Sequence, residues 1–227
     1  MEKKDFIVWA STHQSTYVPS DAAKAKLANV DLVAIVGPTG VGKTTIIGRL
    51  AIPYVRSTVS REKRPTEQDK HTYYFTQDYL GIIKDVKEGN YVQFIISSSG
   101  EFYGTKLSEY PDSGVCVMSI AADQVPSFQK LGFKSVKCIY IMPPSYIEWM
   151  NRIGGVRTKD LLDRISEARQ SVEIVRDDEN YSFILNDNLD LAVAEVVDII
   201  NGNPVDEHRA RLAHDTADII LKRIGEQ

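Results

Sequence analysis

A short glycine-rich run constrains this chain more than any other feature. Residues 37–44 read Gly-Pro-Thr-Gly-Val-Gly-Lys-Thr and fit the phosphate-binding loop pattern G-x-x-x-x-G-K-[ST] without a mismatch. Glycines let the backbone turn tightly, so that successive N–H groups point at an anion. Lys43 can then reach the β- and γ-phosphates, and the Thr44 hydroxyl can ligate Mg²⁺. The run therefore predicts a nucleoside triphosphate site.

The segments on either side of this run support the prediction. Asp31–Val36 is apolar and rich in β-branched residues, as in a strand buried on both faces. Lys43–Leu50 can form a helix whose N-terminus adds positive dipole to the site. Strand, glycine loop and helix in this order are the arrangement that a phosphate loop requires.

Composition excludes several function classes. The 227 residues are 43% hydrophobic and 26% charged, with a net charge of −4, so neither a nucleic-acid nor an anionic-membrane surface is predicted. No run approaches the ~18 apolar residues that a membrane span needs. Cys116 and Cys138 lie in apolar runs, which favours buried thiols and a cytoplasmic location. The four histidines show no metal-ligand spacing.

Alternating patterns predict an α/β fold with a parallel sheet covered by helices on both faces. Strand character is found at Tyr54–Ser60, Tyr91–Ser97, Val115–Ile120, Ser135–Met142 and Tyr181–Leu185. Helical patterns are found at Ser20–Leu27, Gln77–Glu88, Ala122–Leu131, Ser145–Ile153, Lys159–Asp177, Leu189–Asn201 and Val205–Ile224. Short runs near residues 73–75, 91–97 and 102–104 predict a small mixed-β insertion. The remainder of residues 1–30 is polar and is predicted to be irregular.

A second cluster suggests where an acceptor phosphate could bind. Arg61 and Arg64 follow the strand that contains Ser57, and the run Tyr73-Tyr-Phe75 comes soon after. Two arginines with nearby tyrosines could form a bidentate clamp for a phosphate. A solvated charge run is the alternative interpretation of these residues by themselves.

The order of the motifs resembles the guanylate kinase family. In that family the phosphate loop, here residues 37–45, is followed by S-x-x-T-R-x-P-R-x-x-E, Y-x-F, Y-G-T, a strand ending in D-x-D, a P-P-S turn, an arginine-rich lid and N-x-x-L-x-x-A. The resemblance covers Asp31 to Asn203. It implies a parallel sheet flanked by helices, a monophosphate-binding lobe at about 54–105 and a short helical lid at about 152–168. Residues 1–30 and 204–227 would then be an N-terminal extension and a C-terminal helix.

The resemblance also implies a role for each matched residue, with ATP and Mg²⁺ as cofactors. Catalytic roles fall to Lys43, Arg61, Arg157 and Arg164. The donor nucleotide would be held by Gly37, Pro38, Thr39, Gly40, Val41, Gly42, Lys43, Thr44, Thr45 and Arg152, with Thr44 on the metal. The acceptor would be held by Ser57, Arg61, Arg64, Tyr73, Gln93, Ser97, Tyr103, Thr105 and Ser119.

The chain departs from the family pattern where the family recognises guanine. Gln93 stands where the family has a glutamate, and an amide cannot accept hydrogen bonds from two guanine N–H groups as a carboxylate does. The D-x-D pattern becomes Ser119-Ile-Ala121, which supplies no charge. The Ser97-Ser-Ser99 stretch has an extra residue, and the lid is a few residues shorter between Arg157 and Arg164. We therefore expect a nucleoside monophosphate acceptor that need not be GMP.

Three functions remain open at this point. The first is transfer of the ATP γ-phosphoryl group to GMP or another nucleoside monophosphate. The second is a guanylate-kinase-like binding module without catalysis, which the missing acidic pair favours and the complete phosphate loop opposes. The third is a phosphate-loop kinase that acts on another phosphorylated small molecule. The segments outside the family core are expected to add packing around the sheet, and a homo-oligomer contact through them stays open.

Overall fold

The computed structural model describes residues 1–64, 72–97, 99–154 and 158–226. The helices are α1 (Lys3–Gln14), α2 (Asp21–Leu27), α3 (Lys43–Arg49), α4 (Tyr79–Lys87), α5 (Val125–Gln129), α6 (Tyr146–Ile153), α7 (Thr158–Val175), α8 (Leu189–Asn201) and α9 (Glu207–Gly225). The strands are β1 (Val30–Val36), β2 (Ser57–Val59), β3 (Tyr73–Phe75), β4 (Tyr91–Ile96), β5 (Phe102–Lys106), β6 (Gly114–Ser119), β7 (Ser135–Met142) and β8 (Tyr181–Leu185). Contacts divide the chain into two units, residues 1–31, 53–116 and 130–135, and residues 32–52, 117–129 and 136–227.

A four-stranded parallel sheet in the order β6-β1-β7-β8 carries the phosphate loop. Its central strand β1, Val-Asp-Leu-Val-Ala-Ile-Val, is buried at every position but one, as its continuous apolar composition predicts. β7 and β8 run parallel, with Cys138 opposite Tyr181 and Met142 opposite Leu185. The α/β architecture with a second, mixed sheet is the one predicted from the sequence, and it is confirmed.

The second sheet is mixed, with the order β3-β2-β5-β4. β2 pairs with β3 in parallel and with β5 antiparallel, and β5 also pairs antiparallel with β4. Directly opposed residues share a face of a sheet, and successive residues alternate between faces. One row across all four strands is therefore Tyr73, Ser57, Thr105 and Gln93, with all four side chains on one face.

Residues 3–14 form helix α1, so the prediction of an irregular segment before Ser20 was wrong there. α1 packs against β4 and α4, and it buries Phe6 completely within a cluster that includes Phe94 and Phe102. Gln14 Oε1 accepts a hydrogen bond of 2.7 Å from the backbone N–H of Ile96. Since β4 is an edge strand, α1 satisfies a backbone donor there.

The predicted capped helix at residues 20–27 is confirmed. Ser20 is its N-cap, and the Ser20 side chain accepts a hydrogen bond from the backbone N–H of Ala23. At the other end of the chain, α9 follows the N-cap Asp206 and packs on β8 and α7. In the described part of the chain no helix is long and apolar enough to cross a membrane.

Both cysteines have free thiols that are buried, as their apolar surroundings predicted. Burial raises the pKa of the Cys116 thiol to about 12 and that of the Cys138 thiol to about 11. Neither thiol is therefore a reactive thiolate near neutral pH.

Candidate functional site

The phosphate loop joins the end of β1 to the start of α3, and its backbone admits side chains poorly. Gly37 has φ +141°, and a Cβ there would lie 2.5 Å from the carbonyl oxygen of Ile141. Gly42 has φ +98°, and a Cβ there would lie 2.4 Å from Asn186 Nδ2. These distances are below any real Cβ contact, so glycine at both positions lets the loop pack closely against Ile141 and Asn186. A glycine loop of this kind is a cradle whose N–H groups can bind an anion.

The Lys43 ammonium is positioned over the loop by two of its carbonyls. Lys43 Nζ donates to Gly37 O at 2.6 Å and to Pro38 O at 2.8 Å. Desolvation by burial lowers the pKa of Lys43 to about 8, and the charge of Glu167 opposes this shift. Thr44 and Thr45 lie exposed in the first turn of α3. A desolvated cation beside a glycine cradle fits a polyphosphate ligand.

Two side chains that the sequence analysis missed hold the loop from outside. Trp149 on α6 is fully buried, and its Nε1–H donates to Thr39 O at 2.9 Å. Asn186, directly after β8, donates from Nδ2 to Val41 O at 2.7 Å. The need of a buried indole N–H for a partner was an available signal for Trp149. Asn186 could not be found in this way, because a single asparagine after a strand has no sequence signal that points to the loop.

Of the three arginines predicted in the lid, the structure describes Arg152 and Arg164. Arg152 on α6 donates from Nε to Glu148 Oε1 at 3.1 Å and from Nη2 to Asn186 O at 3.3 Å. It thereby contacts the residue that supports the phosphate loop. Arg164 is half-buried on α7, one turn before Glu167, whose charge acts on Lys43. Arg157 lies outside the described residues.

Ser119 is the last residue of β6, the strand next to β1 in the parallel sheet. The backbone N–H of Ile120 donates to Ile35 O at 3.1 Å, so the two strand ends lie side by side. Ser119 is half-buried and Ala121 is exposed. Ligands of open α/β sheets bind at the carboxyl ends of the strands. This strand end carries a hydroxyl and a methyl group instead of two carboxylates.

The predicted acceptor residues form a cluster on one face of the second sheet. The Arg61 guanidinium carbon lies 5.2 Å from the ring centre of Tyr73 and 5.1 Å from that of Phe75. The rings of Tyr73 and Tyr103 meet edge to face at 6.3 Å. Ser57 lies opposite Tyr73 and is nearly buried. Arg61 Nη1 also donates to Glu62 O at 3.0 Å, so the guanidinium is held by cation–π contacts and by a backbone carbonyl.

Three other predicted acceptor residues differ in what they can reach. Gln93 is half-buried and lies directly opposite Thr105. Thr105 is fully buried, and its Oγ1 accepts a hydrogen bond of 3.0 Å from Tyr110 O–H. The Ser97 hydroxyl is bonded within its own hairpin turn, where Oγ accepts from Glu101 N at 3.2 Å. Contact of Gln93 with a base stays a prediction.

Arg64 is exposed at the last described position before residue 72. In the described ranges no group of three or more His, Cys, Asp or Glu side chains is arranged to hold a metal ion. A magnesium ion at this site would therefore depend on Thr44, phosphate oxygens and water.

Comparisons with known proteins identify the family of this chain. The family model for guanylate kinase matches residues 29–203. The crystal structure of guanylate kinase from Anaplasma phagocytophilum is similar at a TM-score of 0.52 and 19% sequence identity, covering 82% of this chain and 92% of that chain. Comparison with curated proteins finds no match. Because the family model covers most of the chain, the protein belongs to the guanylate kinase family.

Proposed function

We propose that the protein is an ATP-dependent kinase that transfers the γ-phosphoryl group to a nucleoside monophosphate, giving a nucleoside diphosphate and ADP. The observation that carries the proposal is the phosphate loop, in which Lys43 lies over a glycine cradle that has no room for side chains. Membership of the guanylate kinase family supports the same activity.

On the donor side, loop N–H groups and Lys43 would bind the β- and γ-phosphates. Mg²⁺, when bound, neutralises charge on these phosphates, and Thr44 is the residue of this chain that would ligate it. Arg152, which already contacts Asn186 beside the loop, would face the nucleoside part of ATP. Phosphoryl transfer needs positioning and positive charge more than a covalent nucleophile, which gives Arg157 and Arg164 their proposed role.

On the acceptor side, Arg61 would pair with the phosphate of the monophosphate, and Tyr73 and Tyr103 would donate hydroxyl hydrogen bonds to it. The position of the Arg61 guanidinium beside the rings of Tyr73 and Phe75 supports this assignment, since it places a cation next to both predicted tyrosines. Gln93, on the same face of the sheet, would contact the base.

The amide of Gln93 changes which base is preferred. A guanine N1–H and N2–H pair needs two acceptors, and Gln93 offers one carbonyl and one N–H₂ group. An amide that both donates and accepts also matches adenine or a pyrimidine edge. We therefore propose that discrimination in favour of guanine is weaker than in family members that have a glutamate here.

One observation favours a second function, a binding module without catalysis. The end of β6 carries Ser119 and Ala121 where the family places two aspartates, so this strand end supplies no carboxylate. The second function predicts nucleotide binding without turnover.

The test is an acceptor panel. ADP release would be measured with ATP and Mg²⁺ against GMP, dGMP, AMP, CMP, UMP and dTMP, with a sugar phosphate added as a non-nucleotide acceptor. Lys43→Ala is the matched control, because it removes the ammonium and leaves the loop glycines in place. Turnover with a monophosphate that is lost in the control supports the kinase. ATP binding without any turnover supports the binding module, and turnover with the sugar phosphate alone supports the third interpretation.

A further inference from the structure

The C-terminal helix α9 lies outside residues 29–203, the part of the chain that the family model matches. It nevertheless packs on β8 and α7, and its Arg209 side chain makes several hydrogen bonds to the end of β8 and the residue after Asn186. Asp206, the N-cap of α9, accepts hydrogen bonds from His208 N and Arg209 N. Arg209 is therefore held in the first turn of a well-capped helix.

The Arg209 guanidinium bonds on both sides of Asn186. Its Nη2 donates to Leu185 O at 2.9 Å, and its Nη1 and Nη2 donate to the two carboxylate oxygens of Asp187 at 3.2 and 2.8 Å. Its Nε donates to Glu195 Oε1 at 2.5 Å. Hydrogen bonds to Asp187 and Glu195 raise the pKa of Arg209, and the hydrogen bonds from Arg209 lower the pKa of Asp187. Both groups are therefore charged throughout the neutral range.

The short segment that Arg209 bonds is the support of the phosphate loop. Asn186 N donates to Met142 O at 2.8 Å, and its side-chain amide donates to Val41 O. The same amide occupies the space where a Cβ at Gly42 would lie. A change in the path of residues 185–187 would therefore move a donor away from the loop and open space beside Gly42.

We infer that Arg209 is a positioning residue for the phosphate loop, acting through Asp187 and Asn186. This inference rests on the proposed nucleotide site, and it assigns to α9 a role that packing alone would not require. A bidentate, charge-assisted pair is stronger and more directional than neutral hydrogen bonds. It therefore fixes the position of the Asn186 backbone and not only the attachment of the helix.

The test is hydrogen exchange in the ligand-free protein, which does not depend on turnover. In Arg209→Ala, the amide of Asn186, which is bonded to Met142 O, should exchange about tenfold faster or more, since charge-assisted hydrogen bonds that restrain residues 185–187 are lost. Arg209→Lys keeps the charge but loses the planar fork, so an intermediate rate is expected. Arg211→Ala is the matched control, because Arg211 is exposed on the same helix and bonds only within it among the described contacts.

Exchange in β4, in the other unit, distinguishes positioning from general destabilisation. The inference predicts that residues 91–96 exchange as in the wild type in all three variants. It is overturned if Asn186 exchanges normally in Arg209→Ala, or if β4 and Asn186 gain exchange to the same extent. A direct ATP titration should show a dissociation constant raised about tenfold in Arg209→Ala and unchanged in Arg211→Ala. If the wild-type protein turned over no acceptor, the proposed kinase activity would be contradicted. The hydrogen-exchange comparison would still test the role of Arg209, because it does not depend on turnover.

Discussion

The half-buried ammonium of Lys43 should make ATP binding depend on pH in a calculable way. Its pKa is lowered from an ordinary value of 10.5 to about 8, because burial disfavours the charged form. A polyphosphate needs that charge, so we expect ATP to bind the protonated form, with uptake of a proton when the pH exceeds 8. The protonated fraction falls from about nine-tenths at pH 7 to about one-tenth at pH 9, which weakens ATP binding about tenfold.

Isothermal titration of ATP at pH 7, 8 and 9 measures this effect, and buffers of different ionisation enthalpy report the proton uptake. Lys43→Arg is the control. Its guanidinium stays charged over this pH range, so the affinity of this variant for ATP should not change with pH. Glu167→Gln removes the charge that raises the Lys43 pKa and should move the transition to slightly lower pH. An equal dissociation constant at pH 7 and 9 would refute the assigned pKa.

The free energy of unfolding of the ligand-free protein should rise with pH over the range in which Lys43 loses its proton. Because the pKa of Lys43 is lower in the folded chain than in the unfolded chain, the unfolded state binds more protons between pH 8 and 10.5. The free energy of unfolding therefore gains a positive contribution as pH rises through that window. Urea denaturation of the wild type relative to Lys43→Arg measures it, and a relative loss of stability over the same window would contradict the sign.

Three further predictions concern the loop support, α1 and the base. Trp149→Phe leaves Thr39 O without its donor and should lower the free energy of unfolding by about 1–3 kcal/mol in urea; an unchanged value would contradict the support. Phe6→Ala should cost about 3–5 kcal/mol, whereas Val8→Ala, at an exposed site on α1, should cost little; equal costs would contradict the docking of α1. Gln93→Glu should raise kcat/KM for GMP relative to AMP by tenfold or more, and an unchanged ratio would contradict the placement of Gln93.

The elements of the parallel sheet could be predicted because their signals are long and continuous. Ser135–Met142 and Tyr181–Leu185 were predicted with their observed bounds, as was the helix Leu189–Asn201, which Asn188 caps. The strand predicted at Tyr54–Ser60 is limited to residues 57–59. Short strands depend on the pairing of distant segments, which local patterns do not contain.

Helix α1 could not be predicted with the same means. Its fully buried side chains are only Phe6 and Ala10, one turn apart, so its hydrophobic periodicity is too weak to stand out. Tertiary packing against the second sheet stabilises it, and such packing overrides weak local preference. Residues 1–31 are thus grouped by contacts with residues 53–116, which contain the second sheet.

The residues of the candidate site that belong to a local sequence motif could be predicted. Those that reach the site from distant parts of the chain could not. The glycine loop and Lys43 follow from eight consecutive residues. The supports Trp149 and Asn186 lie more than 100 residues away in the chain, and only the fold brings them to the loop. The burial of Thr105 against Tyr110 depends on packing in the same way.

The most direct test of the central claim is transfer itself. ATP labelled at the γ-phosphate would be incubated with the protein, Mg²⁺ and each monophosphate in turn, and the products separated by chromatography. The proposed function predicts label in a nucleoside diphosphate, at a rate that Lys43→Ala abolishes. Label that stays in ATP or appears only as inorganic phosphate with every acceptor would contradict it.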